Sequence, residues 1–142
     1  MRDDGKEHAV ICFGPISVLP SFQRMGIGTM MIEYSKKVAK TLGHTAILIY
    51  GDPDYYSKVG FVPAKRYGIG TDHNMYAVPL QACELIEGSL SHCKGRFFED
   101  DSHNIDSLAA EEFDKTFPNK ELQTNLPSQA RFLQLINMRT PR

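Results

Sequence analysis

The stretch that most constrains this chain is Gln23-Arg24-Met25-Gly26-Ile27-Gly28. An apolar run from Ile11 leads to Leu19, Pro20 and Ser21 break it, and a helical pattern opens at Thr29. A strand, a tight turn and a helix N-terminus in that order suit a phosphate. The first-turn N–H groups have no partner inside the helix, and the helix dipole adds partial positive charge there. Gly26 and Gly28 let the backbone come close to a bulky anion and take positive φ if the turn needs it. An ordinary strand-to-helix turn would show the same two glycines. A Walker loop needs a Lys-Ser/Thr pair after its last glycine, and none stands here. The dinucleotide fingerprint needs a third glycine where Met31 stands.

The flanking pattern is α/β. Residues 9–19 read as a strand interrupted at Gly14-Pro15, where a bulge would free a backbone N–H from the ladder and turn it into a cleft. From Thr29 the apolar period becomes 3.6. Met30, Tyr34, Val38 and Leu42 form a stripe expected to pack in the core, with Ile27, Met31 and Ser35 beside it and Glu33, Lys36, Lys37 and Lys40 on the other face. Gly43 is the expected stop. Residues 45–50 are continuously apolar, as in a strand buried on both faces. Strand, helix and strand at this spacing predict a βαβ unit with parallel strands.

A second motif follows. Asp52 is a good N-cap and Pro53 suits the first helical position, so residues 53–59 are predicted as a short helix stopped by Gly60. The segment ends Tyr55-Tyr56-Ser57-Lys58-Val59-Gly60-Phe61. Residues 61–64 and 74–80 are expected to be strands that pair antiparallel. From residue 81 the core pattern fades. Glu99-Asp100-Asp101 reads as a solvated acidic loop rather than a metal site. Helices are expected at about 107–117, stopped by Pro118, and about 128–138, with Phe132, Leu133 and Ile136 as the apolar face.

The two motifs, in this order and with these elements between them, resemble the GCN5-related N-acetyltransferases (GNAT). The tail resembles the C-terminal extension of the YhbS-like subgroup. The resemblance covers about residues 8–80. It implies a partial GNAT acyl-CoA N-acyltransferase fold, α/β (α+β by some schemes), with a mixed sheet around a central βαβ unit and a helical C-terminal extension. It divides the chain into residues 1–80, the C-terminal half of an acetyltransferase domain, and residues 81–142, an extension packed on the same domain. The first strand, two helices and next two strands of the family pattern have no counterpart here, so the N-terminal half of the fold is expected to be lacking.

What the resemblance implies chemically is acetyl-CoA as co-substrate, no metal, and transfer of the acetyl group to a primary amine, on a small molecule or a protein, by direct attack on the thioester. The pyrophosphate would lie on the N–H groups of Arg24, Met25, Gly26, Ile27, Gly28 and Thr29, with Gln23 also among the cofactor-binding residues. The acetyl carbonyl would be held by a backbone N–H at Val18, flanked by Ser17 and Leu19. Asp52, Tyr55, Tyr56 and Lys58 would line the cofactor. Tyr56, four residues before Gly60, is the candidate acid for the departing thiolate; a phenol near ~10 can protonate a thiol near ~8.5 only with help from the site. Tyr56 could instead merely pack on the pantetheine arm, Tyr55 could exchange roles with it, and Arg24 and Lys58 could reach phosphate or stay solvated. No base is identifiable: Tyr50, Asp52 and Asp54 are near in the chain, and each has an equally good structural reason to be there. A CoA-binding module without turnover is the alternative class.

Composition closes off other classes. With Lys+Arg 16 against Asp+Glu 17 the net charge is −1, which lacks the basic surplus of a nucleic-acid binder. No apolar run approaches the ~20 residues of a membrane span. The charged start predicts no signal peptide. Cys12, Cys83 and Cys93 are an odd number at no metal-like spacing, and His92-Cys93 has no second pair, so they read as reduced thiols of a cytoplasmic protein. An apolar strand at 9–19 with one unpaired edge would invite pairing, so a homo-oligomer using that strand or the tail helices is expected.

Overall fold

The computed structural model describes residues 5–121, 124 and 126–142. Residues 1–4 of the polar lead-in lie outside the described residues. Helix α1 (Ile27–Thr41) is followed by β1 (Ala46–Tyr50), the short α2 (Pro53–Tyr56), β2 (Val62–Pro63), β3 (Ile69–Gly70), β4 (Met75–Ala77) and β5 (Leu80–Glu84). Then come β6 (Gly95–Arg96), α3 (Ser107–Asp114), α4 (Pro127–Asn137) and β7 (Arg139–Pro141). The architecture is the expected mixed α/β one.

The central sheet has the order β1-β5-β2, with both pairings antiparallel. Strand β1 is buried on both faces as predicted. Ala46 and Leu48 face one core with Leu80, Ala82, Leu90 and Phe97, while Ile47 and Ile49 face the other with Ile32, Val59 and Phe61. Each such buried aliphatic side chain stabilises the fold by about 1.5–3 kcal/mol relative to exposure.

Three expectations are corrected. First, residues 9–19 form no strand. Their ladder is reduced to a parallel bridge between Ile11 and Ile47, with Ile11 N–H on the Ala46 carbonyl at 3.3 Å and Leu48 N–H on the Ile11 carbonyl at 3.0 Å. Side chains still alternate, Val10 toward one core and Ile11 and Phe13 toward the other. The segment makes no further ladder bond to β1 among the described residues, and beyond Phe13 the lack of an N–H at Pro15 would in any case interrupt a strand. The parallel relation across α1 survives in that bridge.

Second, the apolar stripe of α1 faces solvent. Met30, Tyr34 and Leu42 are 64%, 69% and 69% exposed, and the buried residues are Ile32 and Ala39. The helix meets the sheet on a side that also carries Ser35 and Lys36. Lys36 Nζ donates to the Val59 carbonyl at 2.9 Å and pairs with Glu33 at 2.9 Å, which turns this face inward. Small side chains let a helix approach closely, and a lysine stem can lie along the core with its ammonium satisfied. The helix ends as expected: Gly43 has φ +89, its N–H reaches the Lys40 carbonyl and the His44 N–H the Ala39 carbonyl, a Schellman closure.

Third, β2 pairs with β5 and not with the 74–80 region, where β4 pairs antiparallel with β7 instead. The core continues past residue 80, against the sequence expectation: Gln81 is fully buried in the central strand, its amide donating to the Val78 carbonyl at 2.7 Å. The tail is also part of the structure. Parallel β3–β6 pairing brings Phe97 and Leu90 over one sheet face, and Arg142 donates to the Gly68 carbonyl and to Asn74 Oδ1. The two tail helices span Ser107–Asp114 and Pro127–Asn137; α4 buries Leu135, whereas Phe132 and Leu133 of its expected apolar face are 61% and 58% exposed.

Candidate active site

Segment 9–19 leaves β1 beyond the Ile11 bridge, and residues 20–26 carry the chain from it into α1. Between them a 3-10 turn, Pro20–Phe22, reverses the chain. The Gln23 side-chain amide donates to the Val18 carbonyl at 3.0 Å and ties the loop back to the end of the extended segment. Arg24 takes φ +62 and Gly26 φ +80, so two left-handed residues bring the chain into α1. Gly26 is the N-cap, its carbonyl accepting from Met30 N–H at 2.9 Å. No side chain caps this terminus, and no acidic residue stands in its first turn. The first-turn N–H groups thus keep their capacity for an outside acceptor.

The two glycines have different reasons. Gly26 is required by its positive φ, with open space around it. Gly28 makes room for a neighbour: a Cβ there would lie 2.7 Å from the Tyr55 hydroxyl, which would have to swing aside. Asp52 caps α2 through Asp54 N–H at 3.0 Å, and α2 runs into a 3-10 turn, Ser57–Val59, closed by Gly60 at φ +82. This places successive tyrosines on different sides. Tyr55, 40% exposed, reaches the loop. Tyr56 turns inward against Phe13 and Phe61 at ring separations of 6.4 and 5.4 Å, and is edge-to-face with Tyr55 at 5.1 Å. Its ring lies so close to Gly51 that any Cβ there would overlap it. Burial, then the neighbouring Tyr55 and Cys12, push the Tyr56 phenol above its usual 10.

The structure gathers Val18, Gln23, Gly28 and Tyr55 around the loop. Ser17, Leu19, Arg24, Met25, Thr29 and Lys58 are exposed, and Ile27 and Val18 half-buried. Asp52 faces elsewhere. Arg131 of α4 grips it with two bonds, Nε–Oδ2 at 2.9 Å and Nη2–Oδ1 at 3.0 Å, and reaches Asp54 at 2.7 Å. The hydrogen bond from Arg131 holds the Asp52 carboxyl below its usual 3.8. Tyr50 is pushed up to about 12, by burial and then by Glu99. Each of the three groups considered as a base is therefore committed: two carboxylates to Arg131, one phenol to its own proton. Arg131 carries no sequence signal of this role, since 79 residues separate it from Asp52. A cavity of about 680 Å³ between the end of β1 and α4 is lined by Tyr50, Asp52, Asp72, Glu99, Arg131 and Phe132 among others. A second, of about 1180 Å³, lies between the extended segment and the chain after β6.

The glycine-spaced loop, the helix it opens and the adjoining tyrosine turn form one continuous surface. Residues 1–61 match the family model of the acetyltransferase (GNAT) family. Among solved structures the chain is similar to the GNAT family N-acetyltransferase YhbS from Escherichia coli in complex with CoA, with a TM-score of 0.66 and 18% identity. That likeness covers 73% of this chain and 58% of the other, so the chain spans under two thirds of that protein's length. No curated protein matches the sequence. No helix among the described residues is long and apolar enough to cross a membrane.

Proposed function

We propose that the chain transfers an acetyl group from acetyl-CoA to a primary amine, of a small molecule or a protein. The observation that carries this is the uncapped N-terminus of α1, entered through Arg24 and Gly26 in left-handed conformation and flanked by Tyr55. The pyrophosphate would accept from the N–H groups between Gln23 and Thr29, with Arg24 and Lys58 as exposed cations able to approach it. The acetyl carbonyl would sit at the Val18 N–H, whose donor is aimed at the oxygen as negative charge develops. The neutral amine nitrogen would attack the thioester carbon, the C–S bond would break and the sulfur would leave as thiolate, while the proton shed by the nitrogen passes to solvent water. Tyr56 would give that thiolate its proton, and the Tyr56 phenolate is afterwards reprotonated from solvent water. Its raised pKa keeps it protonated through neutral pH, and the uphill transfer is tolerable within a hydrogen bond.

One observation favours a second reading, a CoA-binding module without turnover. Asp52 and Asp54 are held by Arg131, and Tyr50 holds its proton, so none of the groups considered as a base is available. Release of free CoA thiol from acetyl-CoA across a panel of amines, set beside calorimetric binding of CoA alone, separates the two. Amine-dependent release supports transfer. Binding without release supports the module, and neither rejects both.

We propose a cytoplasmic setting, supported by the odd number of cysteines, Cys12, Cys83 and Cys93, read as reduced thiols. Self-association is supported by exposed apolar side chains on α3 and α4, with Leu108, Phe113 and Phe132 at 74%, 66% and 61%. A second copy of the chain is the occupant proposed for these faces, tested by light scattering on dilution.

A further inference from the structure

The loop that the acidic run Glu99-Asp100-Asp101 occupies does not stand alone. After β6 the chain crosses back over the extended segment and sets Glu99 and His103 beside Cys12. One ligating atom from each of Cys12, Glu99 and His103 lies within 4.8 Å of the other two. The three are 87 or more positions apart on one side and four apart on the other, so only the fold assembles them. Glu99 Oε1 and His103 Nδ1 are 3.9 Å apart, too long for a hydrogen bond between them. All three line the larger cavity, of about 1180 Å³. His8 lines it too, and its Nε2 is buried with no hydrogen-bond partner among the described residues. A buried imidazole nitrogen without a partner calls for a reason.

We propose that Cys12, Glu99 and His103 form a zinc site that fastens the chain after β6 to the extended segment. The donor set is one sulfur, one oxygen and one nitrogen, the mixture that a borderline-soft, tetrahedral Zn²⁺ accepts. Bond lengths of about 2.0–2.3 Å in a tetrahedron place neighbouring donors roughly 3.3–3.8 Å apart, so the three side chains need to close by only about 1 Å. The thiolate and carboxylate together carry two negative charges, which balance the cation and leave the imidazole neutral. Binding releases the Cys12 proton to solvent and forms the S–Zn bond in its place. Three protein ligands leave a fourth position toward the cavity, open to water. The cross-link would close a chain loop of some ninety residues, so it restrains the unfolded chain as well as the folded one.

The test uses the full chain, stripped with a chelator and titrated with Zn²⁺ against a chromophoric competitor, and in parallel with Co²⁺. One equivalent is expected to bind, with a thiolate-to-cobalt charge-transfer band and the visible bands of tetrahedral Co²⁺. Cys12→Ser should abolish the charge-transfer band. Loss of an outer partner of a metal ligand typically costs 10–100-fold in affinity, so His103→Ala and Glu99→Gln should each cost at least about tenfold. Both positions are exposed, so those variants are expected to fold. Cys83→Ala should keep the band. Absence of stoichiometric binding overturns the proposal. So does a charge-transfer band that survives Cys12→Ser, or an affinity that His103→Ala and Glu99→Gln leave at the parent value.

Discussion

The Tyr55 hydroxyl rests on Gly28, 2.7 Å from where a Cβ would stand. The contact joins the two motifs, the loop that opens α1 and the tyrosine pair of α2, into one surface. Gly28→Ala should push Tyr55 aside and weaken CoA binding, by about tenfold if some 1.4 kcal/mol of contact is lost. Tyr55→Phe removes the clashing oxygen, so the double variant should recover most of the affinity. Calorimetry on the three proteins checks this, and equal affinities throughout would show that the contact has no bearing on the ligand.

Gly26→Ala meets no neighbour, but its φ of +80 disfavours a Cβ. The expected loss of folding stability is about 1–2 kcal/mol, visible as a lower denaturant midpoint with an unchanged slope. A midpoint equal to the parent's would mean that the loop relaxes out of the left-handed region at little cost.

Tyr56→Phe keeps the ring against Phe13, Phe61 and Gly51, so stability and acetyl-CoA affinity should hold. Turnover should fall, and the loss should appear in kcat, because in the proposed mechanism the hydroxyl would act only on the departing thiolate. Because burial raises the phenol above its ordinary value, any activity loss from its ionisation should come at higher pH than for a solvent-exposed tyrosine, which a pH profile of kcat checks. An unchanged kcat where chemistry limits the rate removes Tyr56 from the mechanism.

Arg131→Ala should release α4 from Asp52 and Asp54, lowering the thermal midpoint and speeding hydrogen exchange in Pro127–Asn137. The Asp52 carboxyl is depressed in the folded chain, chiefly by the Arg131 hydrogen bond. The stabilisation is therefore present above its unfolded value of 3.8 and is lost as pH falls through the lower folded value. The gap between parent and variant should be constant near neutrality and close in acid. If the freed Asp52 or Asp54 then serves as a base, Arg131→Ala raises amine-dependent turnover, and the same assay reads that out.

Met30→Glu and Leu42→Glu, at 64% and 69% exposure, should change stability by no more than about 0.5 kcal/mol, although both sit on the most apolar stripe of α1. A loss of several kcal/mol in a chemical melt would show that this face is covered in solution.

Local chemistry was legible in the residues themselves. Gly43, Gly60 and Asp52-Pro53 stop and start their helices as read, because caps and turns depend on a few neighbouring backbone groups. The continuous apolar run at β1 announced a strand buried on both faces, and the spacing of Gly26 and Gly28 announced the loop. What the sequence could not decide was which surface each element turns toward. Periodicity shows that α1 has an apolar stripe, but the Lys36 bond to the Val59 carbonyl and the small side chains beside it choose the buried face. Alternation marks residues 9–19 as extended, but only the tertiary structure limits their pairing with β1 to Ile11. Gln81 reads as polar and sits fully buried in the central strand because the Val78 carbonyl accepts its amide. The commitments of Asp52 to Arg131 and of Cys12 to the neighbourhood of Glu99 and His103 span some eighty residues each. Such contacts form by closure of long loops, whose cost grows only slowly with length, so no local pattern has to announce them.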